Sequence, residues 1–187
     1  MSKIGVIDIL QNAVERVTQS FASISTEHKY IHEGRLFTVP VIQEIAAGAS
    51  YKITFTTPDA DSHLFMHYRP AAVVTSADKV TVGLYEGSTG ITGGTPHTAT
   101  NRRRIEPKVS ETSVLLGTAV TGDGTLIDQT YIGGSVGAGQ ARGGGELGEE
   151  NEFVLNVDTP HTLVVSNGSS TPQKVYVMLK WYEEDGY

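Results

Sequence analysis

The chain has 187 residues, 14 Lys plus Arg against 21 Asp plus Glu, and a formal net charge of −7 with the histidines neutral. That length suits one domain, and the acidic field repels phosphate polymers, which disfavours nucleic acid as a partner. No cysteine is present, so disulfides, thiol catalysis and thiolate-bound metals are excluded.

The N-terminal stretch MSKIGVIDILQNAVERV is interrupted by Asp8, Asn12, Glu15 and Arg16 before a signal-peptide core could form. No run approaches the length of a membrane span, and the expected compartment is the cytoplasm that makes the chain. From Val6 to Phe21, apolar residues at Leu10, Ala13, Val14, Val17 and Phe21 follow a helical period, with Gln11, Asn12, Glu15 and Arg16 outside the stripe. The pattern predicts one amphipathic helix within an arm of residues 1–25.

After Ser25 the period changes to two, and residues 26–187 read as a β-sandwich domain. Strands are predicted at Phe37–Val41, Tyr51–Phe55, Leu64–Tyr68, Val80–Leu84, Phe153–Val157 and Val175–Trp181, with weaker candidates at Val114–Val120, Leu126–Ile132 and Thr162–Ser166. Turn residues separate them at Pro58–Asp61, Glu86–Ser88, Thr121–Gly124 and Ser166–Gly168. Many short strands without interleaved helices predict an all-β, antiparallel fold. A jelly-roll-like sandwich with one N-terminal amphipathic helix fits best, and the spacing leaves an immunoglobulin-like topology open. The last strand carries large side chains on both faces, so it is central to the sandwich or covered by another subunit. Gly87–Pro107 and the glycine-rich Gly133–Gly148 break the rhythm and read as long loops, either ordered by a neighbouring subunit or flexible.

Motifs for chemistry are incomplete. Gly137–Arg142 starts like a dinucleotide fingerprint but has Arg142 at the third glycine, and no phosphate loop or nucleophile elbow occurs. His63 and His67, read within one strand, share a face but stand about 13 Å apart, too far for one ion. His28 and His32 have no third ligand spaced to join them, and polar packing is the preferred account of both. His97-Thr98-Ala99-Thr100-Asn101 supplies only half of a cupin metal motif. Asp59-Ala60-Asp61-Ser62 lacks the rest of a calcium loop and reads as a turn. The acidic clusters Glu146, Glu149, Glu150, Glu152 and Glu183, Glu184, Asp185 read as solvated edges rather than paired catalytic carboxylates. Arg102-Arg103-Arg104 is a basic knot suited to acidic residues of a protein neighbour or of the domain itself.

The segments Ile31–Phe37, Val80–Gly87, Asn101–Arg104, a glycine-rich loop before Glu152–Leu155, and Leu179–Glu184 occur in an order that resembles small virion proteins of tailed bacteriophages, of the capsid decoration or cement class. The resemblance covers residues 28–184 and leaves the predicted helix outside it. It implies a jelly-roll-like sandwich that binds the exterior of an assembled shell as a dimer or trimer and locks neighbouring major capsid protein subunits. It carries over no catalytic residue, metal or cofactor, so the expectation is a structural protein rather than an enzyme, without nucleic-acid or membrane contacts. The interface candidates are Leu10, Val14, Val17 and Phe21 on the helix and Arg102, Arg103 and Arg104 on the loop. The helix could join protomers, dock on the shell or fold on its own sandwich. Two other classes stay open: a virion carbohydrate- or receptor-binding module using Tyr68, Tyr85, Tyr131 or Tyr182, and, less favoured, a cupin-like metal enzyme.

Overall fold

The computed structural model describes residues 26–69, 72–74, 79–132 and 152–185. The predicted arm, with Leu10, Val14, Val17 and Phe21, and the Gly133–Gly148 stretch lie outside the described residues. Among the described residues one α-helix, α1 (Thr26–Glu33), precedes twelve strands: β1 (Leu36–Ile45), β2 (Ser50–Thr56), β3 (Leu64–Arg69), β4 (Ala72–Val74), β5 (Val80–Glu86), β6 (Thr92–Pro96), β7 (Thr100–Asn101), β8 (Ser113–Ala119), β9 (Thr125–Ile132), β10 (Phe153–Leu155), β11 (Pro160–Asn167) and β12 (Gln173–Asp185).

All strand pairings are antiparallel. The first sheet runs β10-β3-β12-β1-β7, with β4 also paired to β12, and the second runs β6-β8-β2-β11-β5-β9. Strand β12 is central: ten residues pair with β1, from Leu36 opposite Tyr182 to Ile45 opposite Gln173, while β3 and β4 share its other side. Pro40 lacks an N–H to donate, and it lies on β1 beyond Phe37 and Thr38, the two residues that β7 covers.

The inner faces make one core. Phe37, Val39, Val41, Leu179 and Trp181 of the first sheet meet Ile53, Phe55, Leu84, Leu163 and Val165 of the second. Phe55 stacks on Tyr68 across the two layers at 5.5 Å, and Phe37 on Trp181 at 6.0 Å, distances at which aromatic pairs add to burial. The alternation seen in the sequence therefore reports a real division into core and outer faces.

Several expectations are corrected. Residues 26–33, at the start of the segment read as a β-sandwich domain, form a helix. Glu27 occupies the first turn and His32 the last, both matched to the helix dipole. Gly34, at φ +70°, stops the helix, with Gly34 N–H donating to Ile31 O and Arg35 N–H to Tyr30 O. Gly87–Pro107 is not simply a long loop, because β6 pairs with β8 and β7 with β1 of the same domain. His63 is not in a strand: it ends a single 3-10 turn at φ 55°, and only His67 lies on β3. The last predicted strand residue in its segment, Val157, lies beyond β10. The Asp59 turn forms as expected, its carboxylate accepting from Asp61 N–H at 2.7 Å.

One buried group makes the core sensitive to acid. His161 is fully buried and stacks on Phe55 at 5.4 Å, and its Nδ1–H donates to Thr159 O at 2.9 Å. Its Nε2 has no hydrogen-bond partner although a Glu86 carboxylate oxygen is 3.4 Å away. That separation is within ion-pair range but lacks hydrogen-bond geometry, and burial outweighs the carboxylate, so the imidazole pKa is lowered from its ordinary 6.5. The neutral form favours folding; its stabilisation is complete above the unfolded value and declines as pH falls below about 6.5 toward the folded value. Urea unfolding at pH 7 and pH 5 should show a lower midpoint at pH 5, and His161→Gln should shrink that difference while lowering stability at both.

Gly124 tests the second sheet. At φ +94° a Cβ there would stand 2.2 Å from Glu86 O, a backbone atom that cannot swing away. Gly124→Ala should cost about 1–3 kcal/mol in unfolding free energy, whereas Gly48→Ala, with open space around it, should cost less.

Candidate functional site

Two polar constructions grow from the end of β12, one on each face of the first sheet. On the inner side, at the end of the sandwich, Glu183 is buried without a cation. One oxygen accepts from Ser110 Oγ at 2.6 Å, Thr112 Oγ1 at 2.9 Å, Thr112 N–H at 3.1 Å and Trp181 Nε1 at 3.2 Å; the other accepts from Glu111 N–H at 3.1 Å. Five donors compensate the desolvation of the carboxylate. They also fix where the 102–112 excursion returns to the body.

The start of that excursion is held by Asn101. Its buried side-chain amide donates to Gly34 O at 2.7 Å and Lys108 O at 3.0 Å, while its carbonyl accepts from Arg103 N–H at 2.8 Å. Arg102 N–H donates to Leu36 O at 2.9 Å, extending the β7–β1 pairing. In the Asn101–Arg104 run, then, Asn101 is structural and the arginines ride on the loop it closes. Arg102 and Arg104 are exposed and Arg103 is half-buried; none of the three forms an ion pair among the described residues. Beside them the loop presents Ile105, 75% exposed, and Val109, 83% exposed. Its underside bounds an open cleft of about 530 Å³ lined by His97, Asn101, Arg104, Lys108 and Ser110 among others.

On the outer side of the first sheet, Glu152 gathers four donors. It accepts from the Tyr182 hydroxyl, from His67 Nδ1 at 2.8 Å, and from Arg69 through Nε at 3.0 Å and Nη2 at 2.9 Å. Tyr182 stacks on Tyr30 of α1 at 3.9 Å and on His67 at 4.4 Å. Glu27 of α1 reaches Lys180 at 3.2 Å and Arg69 at 3.9 Å. Burial opposes ionisation of Glu152, but the bonds from Tyr182, His67 and Arg69 win and hold its pKa below the ordinary carboxylate range. Burial and nearby carboxylates push both Tyr30 and Tyr182 upward. Neither the carboxylate nor the phenols are tuned to exchange protons near neutrality, which a general acid or base requires. The arrangement ties α1, the chain entering β10 and β12 into one unit.

The sequence reading placed Glu152 and Glu183 on solvated edges, and both are corrected here: one lies in an ion-pair network and the other is buried among neutral donors. Of the tyrosines proposed for sugar stacking, Tyr68 is in the core and Tyr182 is under α1, while Tyr131 is 63% exposed on β9. His28 and His32 meet on α1, with their Nε2 atoms 2.9 Å apart. Among the described residues no group of three or more His, Asp or Glu is placed to hold a metal ion, and no helix is long and apolar enough to cross a membrane. Arg102, Arg103 and Arg104 follow one another on the loop after β7, whereas Leu10, Val14, Val17 and Phe21 lie outside the described residues.

No family model matches the chain, and no curated protein or solved structure is found to be similar to it.

The two anchors make separable predictions. Glu183→Gln keeps one acceptor but forces an amide N–H₂ toward donors, so it should lower stability by about 1–3 kcal/mol and speed proteolytic cleavage within residues 102–111. Glu152, with its lowered pKa, stabilises the fold fully above its unfolded value near 4.5 and loses that contribution as pH falls through the folded value. The protection of α1 amides against exchange, taken relative to the intrinsic rate at each pH, should therefore fall below about pH 4.5, and Glu152→Gln should lower that protection at neutral pH.

Proposed function

We propose that the protein is a virion structural protein of the capsid decoration, or cement, class, a jelly-roll-like sandwich that sits on the exterior of a phage shell and bridges major capsid subunits. The observation that carries this reading is the 102–111 loop, whose exposed Ile105 and Val109 are set among three cations, Arg102, Arg104 and Lys108, and one anion, Glu106, and which is held at its base by Asn101 and Glu183. A rigidly based loop with an apolar tip and a charged rim suits docking on an acidic protein surface.

Strand order supports the fold part of the reading. With β4 and the β6–β8 excursion set aside, the pairings nest: β1 with β12, β2 with β11, β3 with β10 and β5 with β9. Nested pairs of this kind are what a long antiparallel hairpin leaves when it rolls into two four-stranded sheets, here β10-β3-β12-β1 and β2-β11-β5-β9. An immunoglobulin-like topology pairs its strands in a different order.

The mechanism is mechanical. Each copy contributes modest contacts, and capsid symmetry together with dimer or trimer formation multiplies them into avidity that resists the pressure of packaged DNA. The −7 charge keeps the free protein soluble in the cytoplasm where heads assemble. Co-sedimentation with expanded capsids of the source phage tests the idea: the protein should bind saturably, Arg102→Glu with Arg104→Glu should weaken binding about tenfold or more, and Ile105→Asp should do likewise. Failure of the unmodified protein to bind expanded shells overturns it.

A further inference from the structure

We propose that the chain's own N-terminal segment, through Leu10, Val14, Val17 and Phe21, seats on the uncovered half of the first sheet's outer face. This inference does not rest on the capsid reading. Outward-facing residues of β1 and β12 divide that face in two. At one end Leu36 and Tyr182 pack under Tyr30 of α1. Beyond the Thr38–Lys180 pair the face turns apolar: Pro40 opposite Met178, then Ile42 opposite Tyr176, until Glu44 opposite Lys174 restores polarity. Ile42 is 64% exposed, Pro40 is exposed, and Tyr176 and Met178 are half-buried. No described element covers this patch.

The path of the chain points the segment at it. Glu27 contacts Lys180 and Arg69, whereas Tyr30, one turn later, stacks on Tyr182. Helix α1 therefore runs away from the patch toward the Leu36 end, and its first residue, Thr26, is at the end nearer to Met178. The patch begins one same-face repeat past Lys180, about 7 Å along the strand. The five peptide steps from Phe21 to Thr26 can reach about 17 Å, enough to place Phe21 on it. Lengths also agree. From Thr38 to Glu44 the strand spans about 20 Å, and a helical stripe from Leu10 to Phe21 spans about 17 Å. The stripe's apolar residues recur at the spacing needed to cover one such face, while Gln11, Asn12, Glu15 and Arg16 stay on the other side.

A second copy's segment or a capsid surface is the competing occupant, and thiol chemistry separates them because the chain has no cysteine. In the full chain, Ile42→Cys should react with a maleimide at least about tenfold more slowly than Val109→Cys, which sits at an exposed loop site. Adding Val14→Asp and Val17→Asp should raise the Ile42→Cys rate to within about threefold of that reference. Ile42→Cys combined with Val14→Cys should oxidise to a disulfide within one chain, seen as a monomer of altered mobility on non-reducing gels. Equal labelling at both sites, protection insensitive to the aspartates, protection that appears only with capsids, or a disulfide that joins two chains would each overturn the proposal.

Discussion

Consecutive residues of a β-strand point to opposite faces, and the end of β12 turns that rule into the organising constraint of the molecule. Tyr182 points outward, where it meets Tyr30, His67 and Glu152; Glu183 points inward, where it meets Trp181 and the returning 102–112 excursion. Two adjacent side chains thereby anchor two excursions that lie on different sides of the sheet. Strand β12 can serve both because it is central, with β1 on one side and β3 and β4 on the other, so its position is fixed by two ladders before either side chain makes a contact. A slip of one residue in the β1–β12 register would send Tyr182 into the core and Glu183 into the outer face, and both anchors would fail together.

The two carboxylates at this end are stabilised in different ways. Glu183 is surrounded by hydroxyls, amides and an indole, all neutral donors with fixed geometry. Glu152 faces Arg69 and His67 as well as a phenol, so its ionised form is compensated by charge. The difference matches what each holds. A neutral set built on Ser110, Glu111 and Thr112 fixes a loop base through short local bonds, largely indifferent to salt. The charged set couples three distant segments, and Arg69 also reaches Glu27, so α1 and the entry to β10 share one cation. Shared partners make such networks non-additive: removing one member leaves another buried and uncompensated.

Much of the body was legible in the sequence because burial on one face writes a period of two directly into the residues. Phe37, Val39 and Val41 on β1, and Val175, Val177, Leu179 and Trp181 on β12, are inward-facing core residues and were readable as such. Helix α1 was not, since its sequence TEHKYIHE offers only Tyr30 and Ile31 as apolar residues, and what holds it is the stack on Tyr182 far along the chain. Strand β6, TGGTP, is exposed throughout and carries no hydrophobic pattern; its identity comes from pairing with β8. The anchoring carboxylates were misread for a related reason. A buried carboxylate is recognisable by its donors, and all of those of Glu183 except the Trp181 indole lie about 70 residues away, those of Glu152 between 30 and 85. The basic knot was visible, yet its positioning residue, Asn101, reads in sequence as merely the first letter of the run.

The division of the surface follows from the same constraint. Because α1 is pinned at the Leu36–Tyr182 end, its first turn is the end nearer to Pro40, Ile42, Tyr176 and Met178. Because Glu183 pins the other excursion at that same end, the side chains of Arg102, Arg104, Ile105 and Val109 are left exposed on the loop it closes. An apolar face continuous with an α1 contact and an apolar loop tip set among Arg102, Arg104, Glu106 and Lys108 pose different physical problems. The first is long, flat and bounded by polar pairs, which suits an amphipathic segment delivered by a short tether at high effective concentration. The second is small, convex and charged at its rim, which suits a separate protein surface whose encounter is steered by electrostatics. Assigning the tethered segment to the flat face leaves the loop as the part of the described body best built to meet a foreign partner.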